Sequence, residues 1–157
     1  MVSWSKPLAD QMTDVIAILG LVGLVAGCNI FYNADAITPL TSLHFLGPDS
    51  VSYSFDHRVN GYVRGKGLDI VIVKQLSDAL RDGETIGADI RATGVNQDGQ
   101  TPGITQPSSK AQEVLIRETY NRAGLHLKTT RLFQAHITGT PIGDPLEASA
   151  VGAVFKD

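Results

Sequence analysis

Apolar and polar positions along the chain change period several times, and each change predicts an element. Residues 22–32, VGLVAGCNIFY, and 67–74, GLDIVIVK, are apolar runs without helical spacing and read as buried strands. Residues 86–95, IGADIRATGV, and 131–136, RLFQAH, are weaker runs that also read as strands. Residues 34–45 predict a short helix limited by Pro39, and residues 76–81 a short helix stopped near Gly83. The longest helical pattern begins at Ser109, which with Gln112 has capping-box spacing. Ala111, Val114, Leu115 and Tyr120 form its apolar face, and Gly124 is its stop. A last helix is predicted with Asp144 as N-cap, Pro145 at N1 and Glu147 reaching back from N3. Its buried stripe is Leu146, Ala150, Val151 and Val154. Residues 47–65 and 96–107 are glycine-rich loops, and residues 1–14 carry no clear pattern. Strands alternating with helices predict a layered α/β architecture.

Composition narrows this only in places. A chain of 157 residues with 43% apolar and 18% charged positions has the size and make-up of one globular domain. A net charge of −3 leaves no basic face for nucleic acid. The single cysteine excludes an internal disulfide and fits a reducing, cytoplasmic setting. No Cys/His cluster has metal-ligand spacing, so neither a metal nor another cofactor is expected. Val15–Tyr32 is 18 residues without a charge, the lower limit of a membrane span, and Leu24–Cys28 resembles a lipobox. Lys6 stands against Asp10 and Asp14, and glycines and alanines dilute the run. The buried strand is therefore the expected reading, with a tether through residues 15–32 as the weaker alternative.

Candidate chemistry concentrates in FQAHITGTPIGDPLEA, residues 133–148. His136 ends an apolar run and precedes a loop of Thr138, Gly139 and Thr140 and then a helix start. A histidine at a strand end, facing a loop of donors and a helix N-terminus, suits acid/base or oxyanion work. The bland alternative is a histidine that only holds a loop, with threonines that satisfy local backbone groups. Cys28 reads as a small buried hydrophobe, and His44, His57 and His126 as surface or loop residues.

Several motifs, in order, carry a resemblance. They are Tyr53-Ser54-Phe55-Asp56-His57-Arg58, Asn60-Gly61-Tyr62, Arg64-Gly65 and Leu76-Ser77-Asp78-Ala79. Further on come Ile90 to Gly99, Thr101 to Pro107, Ala135-His136, Thr138-Gly139-Thr140 and Gly143-Asp144-Pro145. Together they resemble the β-ketoacyl synthase (ketosynthase) domain of fungal-type reducing polyketide synthases, as a truncated internal fragment. The expected division is a divergent segment, 1–20, and a partial domain of that kind, 21–157. The resemblance implies a partial thiolase-like α/β fold and dimerisation. It also implies decarboxylative condensation of acyl thioesters delivered by an acyl carrier protein. His136 matches the first of two family histidines, and Thr138 and Thr140 match residues that meet the pantetheine arm. The family's nucleophilic cysteine belongs to a Thr-Ala-Cys-Ser-like motif upstream of the matched region; Cys28 is not its equivalent.

The chain also departs from the family pattern. Gln134 stands for a glutamate, Ile137 for a glycine and Lys66 for a glutamate. Asp69 and Asp89 fall inside predicted strands where small or apolar residues are expected. A β-branched residue at 137 is costly if the backbone there has positive φ, and buried unpaired carboxylates cost several kcal/mol. The expectation is a ketosynthase-like protein, by family an acyltransferase, that is inactive alone. Its expected partner is a carrier protein, a polyketide synthase chain or a second copy. The alternative is a non-catalytic interaction protein or a pseudogene product.

Overall fold

A computed structural model describes residues 22–103 and 106–156. The unpatterned segment 1–14, the first part of the apolar run 15–32 and Ile104-Thr105 lie outside the described residues. In chain order the elements are β1 (Val22–Asn29), α1 (Thr38–Ser42), β2 (Gly67–Lys74), α2 (Leu76–Arg81), α3 (Ser109–Ala123) and α4 (Gly143–Phe155). Single 3-10 turns at Ala34–Ala36 and Leu127–Thr129 join them. Two compact units result: β1 with Lys66–Val95, and Phe31–Gly65 with the chain from Asn96 onward.

In the first unit β1 and β2 form a two-stranded antiparallel ladder from Val22 opposite Lys74 to Asn29 opposite Gly67. Strand alternation puts Leu24, Ala26 and Cys28 on one face with their partners Ile72, Ile70 and Leu68. Both strands were expected to be buried, yet Leu24 is 73% and Ile72 72% exposed. Cys28, expected inside, is exposed as well. The reason is architectural: a strand is buried by the layers laid over it, and β2 passes through Gln75 straight into α2. The end of β2 is tied down by charge instead. Lys74 Nζ lies 2.7 Å from Asp82 Oδ2 and 2.6 Å from Glu84 Oε1, pinning the turn after α2 to the strand. Hydrogen bonds to Asp82 first, then Glu84, raise the lysine pKa above its ordinary value.

Residues 86–95 form no strand, contrary to the sequence pattern. Asp89 lies off any ladder, 3.7 Å from Arg91, and Asp69 lies on β2 but exposed. The burial penalty anticipated for these carboxylates does not arise, because neither site excludes water.

In the second unit α3 packs on α4. Tyr120 meets Phe155 edge-on with ring centres 5.8 Å apart, and Phe133 reaches the same ring at 5.4 Å. The Tyr120 hydroxyl is 2.8 Å from Thr130 Oγ1. Arg117 donates to the Ala153 carbonyl at 2.7 Å while its Nε holds Glu113 Oε1 at 3.0 Å. Ala150 and Val154 are each 1% exposed and form the centre of this core, whereas Leu146 and Val151 are only half-buried.

The start of α3 differs from the sequence reading by one residue. The N-cap of α3 is Ser108, whose hydroxyl accepts from Ala111 N at 3.1 Å, so Ser109 and Gln112 form no capping box. The C-terminal end matches the expectation: Gly124 is left-handed, and Leu125 N donates to Tyr120 O at 3.1 Å. Residues 131–136 form no strand, since a strand exists only with a ladder partner and none is present among the described residues. No helix among them is long and apolar enough to cross a membrane.

Candidate functional site

The loop 136–140 is held from two sides. On one side lies the 53–62 segment, a loop stiffened by its own charges. Asp56 takes Arg58 Nε at 2.9 Å and Nη2 at 2.8 Å, and also the Arg58 backbone N–H at 2.9 Å. The guanidinium lies 4.4 Å from the centre of the Tyr53 ring. These bonds, the side-chain fork first, hold the Asp56 carboxyl far below the ordinary carboxylate range. From this segment Ser54 Oγ donates to Ile137 O at 2.6 Å, and Gly61 N donates to Gly139 O at 2.8 Å. Gly139 has φ +91°, and a Cβ there would stand 2.9 Å from Tyr53 N, so only glycine allows this approach.

On the other side lies the start of α4. Glu147 accepts from His136 N at 2.6 Å and Ile137 N at 2.8 Å. Asp144 Oδ1 accepts from Gly139 N at 3.1 Å and Thr140 N at 3.0 Å. The expectation that Asp144 caps the helix and Glu147 reaches back to it is overturned. The N-cap is Ile142, without a side-chain cap bond, because both carboxylates serve the loop.

The backbone N–H groups of residues 136, 137, 139 and 140 are therefore occupied. His136 is exposed, and Thr138 and Thr140 are half-buried. Among the described residues the imidazole and both threonine hydroxyls make no hydrogen bond within the fold. The loop thus places a titratable ring and two hydroxyls together and commits none of them internally. Ile137 has φ +24° and is 7% exposed, so the β-branched residue occupies the left-handed conformation that made its presence notable.

His44, His57 and His126 are exposed, as expected, and His57 sits 3.2 Å from Asp56. Cys28 lies on a strand and not at a helix N-terminus. No group of three or more His, Cys, Asp or Glu suited to a metal occurs among the described residues. Ser54 was missed, and nothing local in the sequence marks it. The paired roles of Asp144 and Glu147 were missed because their i, i+3 spacing fits a helix cap equally well.

Residues 87–157 match the family described as beta-ketoacyl synthase, C-terminal domain. The chain is 56% identical over 136 residues to "Highly reducing polyketide synthase 40" of Fusarium mangiferae, covering 87% of this chain and 6% of that protein. It is 52% identical over 133 residues to "Compactin diketide synthase mlcB" of Penicillium citrinum, covering 85% of this chain and 5% of the relative. A solved ketosynthase from module 6 of the bacillaene synthase of Bacillus subtilis 168 superimposes with a TM-score of 0.87 at 33% identity. That likeness covers 94% of this chain and 26% of the other. The mixed α/β arrangement is thus that of part of a thiolase-like ketosynthase domain, and the chain spans about a twentieth of the length of the polyketide synthases it matches. The chain belongs to the β-ketoacyl synthase family, among the ketosynthase domains of fungal reducing polyketide synthases.

Proposed function

We propose that this chain supplies one wall of a condensing site for acyl thioesters, with His136 as its working side chain. The carrying observation is the pinned loop, which leaves the imidazole exposed and, among the described residues, without a hydrogen-bond partner while spending the neighbouring amides. In this reading His136 donates a hydrogen bond to a thioester oxygen as negative charge develops there during decarboxylative condensation. Thr138 and Thr140 meet the amides of the pantetheine arm of an acyl carrier protein. A thiolate must take the acyl chain, and Cys28, outside any Thr-Ala-Cys-Ser-like motif, is not assigned that role here. The chain alone is therefore inactive, and a polyketide synthase chain or a second copy completes the site. Residues 21–157 act as the partial domain, and residues 1–20 stand outside it.

The experiment is titration of the full chain with an acyl-pantetheine thioester, followed by NMR and intact-mass spectrometry. Shift changes confined to residues 136–140 with no covalent adduct are expected. Turnover with an acyl group on Cys28, or no response at residues 136–140, would overturn the proposal.

The uncovered apolar face of β1–β2 favours a second reading, a non-catalytic interaction protein. Capture of a carrier-protein domain that depends on Thr138 and Thr140 favours the first reading. Capture that instead depends on Leu24 and Ile72 favours the second.

A further inference from the structure

We propose that Asn60 is a deamidation site gated by its contact with Gly139, so that local opening of this contact becomes a lasting chemical change. Of the five asparagines in the chain only Asn60 precedes a glycine, the neighbour that least hinders attack of the next backbone nitrogen on the asparagine side chain. In that reaction the Gly61 nitrogen bonds to Asn60 Cγ, the Cγ–Nδ2 bond breaks, and ammonia leaves with the proton of the Gly61 amide. Water then opens the five-membered imide, its hydroxyl going to a carbonyl carbon and its hydrogen to the nitrogen. The product is aspartate or isoaspartate, with no change of oxidation state and no part for any reaction at His136.

The fold withholds the nucleophile. Gly61 N donates to Gly139 O at 2.8 Å, so the attacking nitrogen is already committed. Gly61 is buried with φ +130°, and a Cβ there would stand 2.6 Å from Gly47 N, so the backbone is boxed in. The side chain is held as well: Asn60 Nδ2 donates to Asp49 Oδ2 at 3.3 Å. Reaction therefore requires the bond between residues 61 and 139 to break, an opening that the nearby Ser54–Ile137 bond opposes.

Once complete, the change prevents the same closure. The new carboxylate, ionised at neutral pH, faces Asp49 where an amide donor stood. One of its oxygens takes the place of Asn60 Oδ1, which is buried and without a hydrogen-bond partner among the described residues, an unfavourable place for a charge. Isoaspartate further lengthens the backbone by one carbon beside a glycine that has no space for one.

The test compares the full chain, its Gly139→Ala and Ser54→Ala variants and a peptide of residues 57–64 in mildly alkaline buffer. Conversion at Asn60 is followed by peptide mapping with mass spectrometry. The wild-type chain is expected to react about tenfold or more slowly than the peptide, and both variants to move toward the peptide rate. Exchange protection in α3 shows whether a variant is folded. Should either unfold, wild type in sub-denaturing urea replaces it, and the Asn60 rate is expected to track exchange of the Gly61 amide. A wild-type rate equal to that of the peptide, or folded variants no faster than wild type, would overturn the gate. Asn60→Asp stands for the product and should speed exchange at Gly61; unchanged exchange there would overturn the lasting effect.

Discussion

At Ile137 two effects of similar size oppose each other. A left-handed conformation costs a non-glycine residue about 1–2 kcal/mol, whereas removing a buried isoleucine side chain costs about 2–5 kcal/mol. The side chain is 7% exposed, so burial wins. Ile137→Ala keeps the strain and loses the packing, and should destabilise by about 2–4 kcal/mol. Ile137→Gly loses the packing but relieves the strain, so it should lie about 1 kcal/mol above the alanine variant. Urea unfolding midpoints should therefore rank wild type, then glycine, then alanine. Asp56 offers a second test at this scale. Its pKa is lowered, chiefly by the Arg58 side-chain bond, so its contribution is complete above the ordinary value of 3.8 and is lost as pH falls toward the lowered value. Asp56→Asn should flatten the acid limb of the wild-type stability curve and leave no added pH dependence above pH 5.

The same balance of local against distant partners decides the elements. Helix α3 was legible because its signals are local: apolar spacing, a serine at the start and Gly124 at the end. Only the capping serine was misplaced, since Ser108 and Ser109 are alike in sequence and the hydroxyl that faces Ala111 N decides. Ser108→Ala should cost about 1 kcal/mol and Ser109→Ala close to nothing, measured as a difference in thermal midpoint. Strands β1 and β2 were legible from their apolar runs, despite Asp69 within β2. Residues 86–95 and 131–136 carry similar patterns without a ladder, because a strand needs a partner that its own sequence does not name. The site follows this rule too. The loop 136–140 could be named from the sequence, but the strand expected to end at His136 does not form, and its supports, Ser54 at a sequence distance of 83 and two carboxylates diverted from a cap, were not legible. Lys74 tests the β2–α2 junction. Its raised pKa means that its contribution is complete below the ordinary lysine value of 10.5 and fades as pH rises through the raised one. Lys74→Met should remove this alkaline dependence in unfolding titrations.

For the whole molecule, the core lies with α3 and α4, and the sheet carries little of it. A two-stranded ladder with an apolar face in water is marginal. In the structure Leu24 and Ile72 stand directly opposite each other with most of their surface open. Replacing both by threonine keeps β-propensity and should reduce binding of a hydrophobic dye and raise the concentration at which the chain stays monodisperse. Exchange protection in α3 and α4 should be unchanged, since the aromatic contacts of Tyr120, Phe133 and Phe155 do not involve the sheet. Loss of that protection would contradict this expectation.

The occupied amides of the His136 loop also set a rule of charge selection. Open backbone N–H groups attract phosphate and carboxylate; the amides of residues 136, 137, 139 and 140 are instead already bonded to Glu147 and Asp144. Those four amides are therefore closed to an incoming anion. Inorganic phosphate should accordingly leave the resonances of residues 136–140 undisturbed at concentrations where a neutral pantetheine amide moves them.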